Sequence, residues 1–290
     1  MKRLFITFLL LASVASADTV RTIIQNDVFL PKNHDRFYSN GLRVEYENSL
    51  FGIAAAQYMY TPADKDNPDI AYGDRPYCGY LYIAGFKEFN YKINSLYTEL
   101  QLGTVGEYSY AGKTQNQIHK WIGSRYCAGW DHQIEDEFIM NAYVQDKVTF
   151  SIIDKIFQII PQGGVAFGNY YDGLNVGGTF KIGYNLPKDK MRTIEPIVSA
   201  PRFSNWSAYI FVKPEMRYVI HNTSLEGSIF DSNESEYTVK IEPIVWDVTY
   251  GVGLEYKLVN FEFQITDRSD EFKGQDVNGD FGSISVSISF

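Results

Sequence analysis

The chain has 290 residues, 45% of them hydrophobic and 16% aromatic, with a formal net charge of −9. That acidic balance argues against nucleic acid as a partner, because phosphate backbones are bound by surplus Lys and Arg. Beyond the first residues no segment is apolar for the roughly 20 positions that a membrane-spanning helix needs, so a helical membrane protein is excluded. A membrane barrel is not, because its lipid-facing and lumen-facing residues alternate and average out.

Lys2 and Arg3, the apolar run Leu4 to Leu11 and the small residues Ala15-Ser16-Ala17 form the pattern of a secretory signal peptide. Residues 1–17 are expected to be removed and 18–290 to form one domain. Rows of period two then recur along the chain, as the pleat of a strand requires. Leu42, Val44 and Tyr46 alternate with Arg43, Glu45 and Glu47; Leu96, Thr98, Leu100 and Leu102 with Tyr97, Glu99 and Gln101. Phe138 and Met140 flank Ile139, Leu174 and Val176 flank Asn175, and Val252 and Leu254 flank Gly253. Short connections, as at 47–52 and 257–261, alternate with long polar ones at 62–76, 107–137 and 267–279. Strand limits between Phe150 and Trp246 are poorly marked, and Pro187 to Trp206 fits no strand pattern.

The last ten residues, Phe281 to Phe290, set Ile284, Val286, Ile288 and Phe290 on one face and four serines on the other. A soluble sandwich can contain such a strand. Together with the signal pattern, a terminal Phe favours an outer-membrane barrel with its apolar row toward lipid. The expected fold is an all-β, 12-stranded antiparallel transmembrane β-barrel, an even count as such barrels require. One segment breaks the pattern: Thr114 to Gly123 lacks alternation and reads as a short helix in a long exterior loop, with Thr114 as its N-cap.

Few residues offer chemistry. Gln115 and His119 lie four apart and would share a helix face. A histidine whose tautomer is fixed by a neighbour can act as a general base toward water, the plain alternative being an exposed loop histidine. Asn26 and Asp27 end the first strand, and Ser39 opens the second, so the strand-to-strand connection would bring a carboxylate and a hydroxyl close. Such hard oxygens suit Ca²⁺, although Asn, Asp and Ser are also ordinary turn formers. Arg75, in Asp74-Arg75-Pro76-Tyr77 at the start of the fourth strand, offers a fork for phosphate or carboxylate, or else an interfacial or lumen-facing residue. Trp130 reads as an interface anchor. Cys78 and Cys127 can form one disulfide in an oxidising compartment or remain thiols. No G-x-S-x-G elbow or H-E-x-x-H zinc motif occurs.

Taken in order, NDVF at Asn26 to Phe29, RFYSNGLR at Arg36 to Arg43, DRPYCGYLY at Asp74 to Tyr82, QNQIH at Gln115 to His119 and GWDHQ at Gly129 to Gln133 resemble the lipid A 3′-O-deacylase family of outer-membrane enzymes. The resemblance implies a 12-stranded barrel with its site at the exterior end beside a loop helix. It implies Ca²⁺-dependent removal of the 3′-linked acyloxyacyl group from lipid A of lipopolysaccharide by a monomer. It assigns His119 as general base, Gln115 and Asn26 as further site residues, and Asp27 and Ser39 to the metal. Family members often carry Thr where Ser39 stands, and the hydroxyl survives. An outer-membrane phospholipase and a passive porin or adhesin are the competing expectations.

Overall fold

Alternation closes this chain into a cylinder. The computed structural model describes residues 18–30, 37–186, 204–230, 238–276 and 278–290. The expected signal segment and most of the stretch from Pro187 to Trp206 lie outside them. The first six strands are β1 (Thr19–Asn26), β2 (Phe37–Glu47), β3 (Gly52–Thr61), β4 (Cys78–Tyr91), β5 (Asn94–Val105) and β6 (Glu137–Val148). A short stretch, Phe150–Ile153, continues β6 beyond Thr149, and both parts pair with the next strand. Then follow β7 (Phe157–Gly168), β8 (Tyr171–Tyr184), β9 (Ser204–Asn222), β10 (Ile244–Lys257), β11 (Val259–Arg268) and β12 (Phe281–Ser289). Each strand pairs antiparallel with its sequence neighbour, and β12 returns to β1 with Val20 opposite Ile288 and Ile24 opposite Ile284. The barrel is closed, with 12 strands and no open edge.

Inside and outside follow the predicted rows. Arg43 and Glu45 are 4% and 2% exposed, whereas Leu42 and Val44 between them are 42% and 43% exposed. Ile83, Leu100, Met140, Val176, Ile210 and Val252 extend the same exposed apolar band around the wall, the inverse of a soluble protein's surface. Exposed aromatics collect toward both rims, with Tyr91, Tyr184 and Trp206 at one and Phe138 and Trp246 at the other. On β4, Tyr80 and Tyr82 turn inward.

The lumen is filled with paired charge. Arg43 makes a bidentate pair with Glu99, at 2.8 Å for its closer contact, and a second pair with Glu45 at 2.8 Å. Arg21 also reaches Glu45, and the Tyr97 hydroxyl donates to Glu99. Toward the other rim, Asp247 accepts from Arg217 and Arg268. Buried ions are tolerated only when matched in this way, because desolvation is costly.

The connections sort as expected, with two differences. Residues 48–51, 92–93 and 154–156 make short turns at one end, where Asp18 and Phe290 also meet. The long segments 62–77, 106–136 and 269–280 stand at the opposite rim, here called the mouth. However, β7 and β8 join at the mouth through only Asn169 and Tyr170, and 185–203 is a long connection at the turn end. The fourth strand starts at Cys78, not Asp74. The Asp74 carboxylate instead accepts from the backbone N–H groups of Ala63 and Arg75, and Pro76 has no N–H to give a ladder.

Candidate active site on the outer wall of the mouth

The end of β1 is held by its own side chains. Asn26 is extended, its side-chain oxygen accepts from the Val28 N–H at 2.8 Å, and so it caps a single 3₁₀ turn over Asp27–Phe29. Its Nδ2 donates to the Ser39 carbonyl at 2.6 Å, stapling β1 to β2. Asp27 is fully buried within that turn. On β2 the register slips between Tyr38 and Asn40, the mark of a bulge, which re-aims the side chain between them. Ser39 Oγ lies 2.6 Å from Thr61 Oγ1.

Strand register shows which face these groups share. Gln25, Gly41, Tyr58 and Tyr80 are consecutive cross-strand partners on the lumen side. Asn40, Met59 and Gly79 form the adjacent row, which therefore faces outward, and Asn26, next to Gln25, lies on the outward side too. A helix, α1 (Ala111–Ile122), lies against this outer row. Ala111 packs with Met59, Tyr77, Cys127 and Trp130 in one buried apolar cluster. The outward Gln57 donates to the Ser109 carbonyl at 2.6 Å. Gly79 leaves room for this approach: a Cβ there would sit 2.3 Å from Ala111 Cβ.

The helix starts three residues before the expected N-cap, and the Thr114 N–H bonds to the Tyr110 carbonyl inside its first turn. Gly112, a poor helix former, stands in that first turn because its missing side chain is required by the Trp130 ring, 2.7 Å from a Cβ placed there. The helix ends at Gly123, whose φ of 73° is the usual left-handed stop. Trp130 is buried, not an interface anchor. It packs at a tilt of 54° against Tyr77 with centroids 4.9 Å apart, and its Nε1 donates to Gln115 Oε1 at 2.7 Å. Gln115 therefore ties the turn Gly129–His132 to α1.

His119 lies one helical turn beyond Gln115 and is half-buried. Its Nδ1 is 2.5 Å from the Arg125 carbonyl. A carbonyl only accepts, so the ring donates Nδ1–H and carries its lone pair on Nε2. The segment supplying that carbonyl is itself held. The Arg125 side chain pairs with Asp66 at 2.6 Å, and the Ala128 N–H donates to the Lys65 carbonyl at 3.0 Å.

The structure thus gathers Asn26, Asp27 and Ser39 at the rim of β1 and β2, and Gln115 and His119 on the helix leaning on β3 and β4. Arg75 is elsewhere. It is buried inside the mouth, donates to Glu271 at 2.7 Å and Ser224 at 3.1 Å, and stacks over Tyr60 at 4.5 Å. The carboxylate partner its fork suggested is Glu271, and this pair ties the 62–77 loop to the 269–280 loop. Glu271 is pushed up by burial, but the adjacent Arg75 and Arg268 outweigh this and hold it below the usual glutamate value. Cys78 and Cys127 are not joined by a disulfide. Cys78 belongs to the lumen cluster and Cys127 to the helix cluster on the other side of the wall.

Among the described residues no group of three or more His, Cys, Asp or Glu is arranged to hold a metal. Asn26, Asp27, Ser39 and Thr61 bring to this rim the oxygen types a hard cation binds: one buried carboxylate, amide and main-chain carbonyls, and hydroxyls. They fit Ca²⁺ in type, with the remaining ligands left to water or substrate oxygens. Sequence reasoning did not single out Thr61, Gln57 or Asn116. Their roles depend on neighbours distant in sequence, and no local spacing signals them.

A model of the family described as "Outer membrane protein LpxR" matches residues 4–290. Among solved structures, LpxR from Salmonella typhimurium superposes with a TM-score of 0.79 at 21% identity, covering 94% of this chain and 100% of that one. The β domain of the Bordetella autotransporter BrkA reaches a TM-score of 0.47 at 13% identity, with 96% of this chain and 100% of that one covered. A KdgM porin reaches 0.39 at 11%, with 95% and 99% covered. The last two share barrel character alone. No curated protein matches the chain.

Proposed function

Because the chain belongs to the LpxR family of outer membrane proteins, we propose that it is a calcium-dependent hydrolase removing the 3′-linked acyloxyacyl group from lipid A. The observation that carries this reading is His119, with Nδ1 committed to the Arg125 carbonyl and Nε2 left as a base, on a helix clamped to the outer wall. Lipid A keeps its acyl chains in the outer leaflet, so a site on the wall meets its ester without drawing the lipid into the lumen. The mouth, with its long loops, then faces the exterior.

In the proposed reaction Nε2 takes a proton from water and the resulting hydroxide attacks the ester carbonyl carbon. The tetrahedral adduct collapses, breaking the bond to the sugar oxygen. The imidazolium returns its proton to that oxygen, giving the free fatty acid and a 3-hydroxyl. Gln115, through Trp130, keeps the helix and its following turn in place. Asn26, Asp27 and Ser39 would hold the calcium ion, which when bound polarises the ester carbonyl and stabilises negative charge on its oxygen. One chain closes the barrel and supplies the helix, so the reading needs no second copy.

The porin alternative is disfavoured by the buried ion pairs of the lumen, where Arg43 binds both Glu45 and Glu99. Mass spectrometry of lipid A and phospholipids from cells expressing the wild type and His119→Ala tests the proposal. Loss of the 3′-linked chains in wild-type cells alone supports it. Intact lipid A with cleaved phospholipid favours a phospholipase. Intact lipids throughout, with conductance in planar bilayers, favour a porin.

A further inference from the structure

His119 owes its tautomer to a main-chain carbonyl in a loop, and a loop carbonyl is only as well placed as the loop. Arg125 lies in the exposed stretch between Gly123 and Cys127. Its side chain is 86% exposed in the pair with Asp66, and exposed pairs contribute little. The firm anchor is at the next buried position. Asn116 grips Cys127 at both ends of one residue: its Nδ2 donates to the Cys127 carbonyl at 3.1 Å, and its Oδ1 accepts the Cys127 N–H at 2.9 Å. Cys127 is 2% exposed, and its Sγ packs 3.7 Å from His119 Nδ1. Asn116 stands three residues before His119 on α1, so the two are neighbours on the helix surface. One helix thus carries both the imidazole and the amide that fixes the segment opposite it.

We infer that Asn116 is a positioning residue for His119. By clamping the Cys127 main chain, its carboxamide holds the Arg125 carbonyl where it captures Nδ1–H, and so keeps Nε2 as the basic nitrogen. Ala at 116 leaves two buried main-chain groups of Cys127 without their partners, and the 124–127 stretch swings away. Released from the carbonyl, the ring takes up the Nε2–H form that free imidazole side chains favour in water, in which Nε2 cannot accept a proton. The inference rests on His119 being the base proposed above, but its first readout does not depend on activity.

The full barrel, labelled with ¹⁵N-imidazole histidine in detergent micelles, reports the tautomer directly through its ring nitrogen shifts. There are four histidines, and a His119→Ala spectrum identifies the signal. The wild type is expected to show the Nδ1–H form, and Asn116→Ala to shift the signal to Nε2–H or to a mixture. Asn116→Asp keeps the acceptor and loses the donor; it is expected to shift the same way and serves if the Ala variant does not fold. In lipid A deacylation Asn116→Ala is expected to lower kcat by about 10- to 100-fold with KM little changed, a fraction of what a general base contributes. Lys120→Ala, an exposed change on the same helix, is expected to leave tautomer and kcat near wild type. An unchanged Nδ1–H signal in both Asn116 variants overturns the inference, as does a Lys120→Ala effect equal to that of Asn116→Ala. If the wild type leaves lipid A intact while the tautomer still responds to Asn116, the functional reading falls and the positioning role stands.

Discussion

Gly79→Ala tests whether contact between α1 and the barrel wall sets the site. Gly79 lies on the outward row of β4, opposite Met59. An added Cβ would be 2.1 Å from Ser109 Oγ and 2.3 Å from Ala111 Cβ. Neither neighbour yields easily: Ser109 Oγ donates to the Gly106 carbonyl at 2.5 Å, and Ala111 Cβ is fixed to the helix backbone. Ordinary contact begins near 3.4 Å, so the start of the helix must retreat by about 1.1 Å. Overpacking of this kind costs roughly 1–3 kcal/mol, taken here from helix docking and not from the barrel. A misplacement of about 1 Å in catalytic groups costs about 100-fold in rate. The assay is initial-rate deacylation of lipid A in mixed micelles, with heat-modifiable migration on gels as the check on barrel closure. The expected outcome is a barrel that migrates as wild type and turns over about 100-fold more slowly. Gly85→Ala is the control, since it lies on the same strand and face with nothing within 4 Å of its Cβ. Wild-type turnover in Gly79→Ala, or equal loss in Gly85→Ala, would refute the reasoning.

His119→Ala is expected to retain the folded barrel and lose deacylation by at least about 100-fold, read from lipid A mass spectra. Chelation of calcium is expected to abolish activity and calcium add-back to restore it; Asp27→Asn is expected to raise the calcium concentration needed for half-maximal rate, measured by titration. Glu271 contributes a pH dependence. Its folded value lies below the ordinary 4.5, so the unfolded chain binds more protons there; the stabilisation is present above 4.5 and is lost as pH falls through the depressed value. Thermal melts of the detergent-solubilised barrel from neutral to acid pH are expected to show this loss, and Glu271→Gln to flatten it.

What could be read from the sequence was what repeats or sits close together. The row of Leu42, Val44 and Tyr46 against Arg43, Glu45 and Glu47 separates the strand's two faces by its period of two, and the signal pattern and terminal strand decide that the apolar face is the wall. Gln115 and His119 were legible because a helix puts fourth neighbours on one face. The sequence places Asp27 near Ser39 because consecutive strands join there; the contact of Asn26 with the Ser39 carbonyl emerges only in the structure. The helix start was misplaced because Gly112, a breaker by propensity, is there to admit the Trp130 ring from 18 residues away. The environment of Trp130 was misread for the same reason, since burial by Tyr77 and Gln115 is a tertiary event. Arg75 illustrates the limit most clearly. Its guanidinium asks for a carboxylate, but nothing local says that the answer is Glu271, on a loop at the far end of the chain.

A filled lumen and an outward site belong together physically. Arg21, Arg43, Glu45 and Glu99 neutralise one another within the bore. On the proposed reading an amphiphile with several acyl chains is handled at the wall, where the chains stay in hydrocarbon and only the ester rises to the polar rim. A bare strand surface there is apolar and offers no base. On the proposed reading the chain supplies one by folding its 106–136 segment back over the outer row, with Gly79 and Gly112 giving the closeness and the Trp130–Gln115 bond giving the lock. Turnover would then depend on how tightly one 12-residue helix is docked. Substitutions in its seat, more than in the barrel core, should separate turnover from folding.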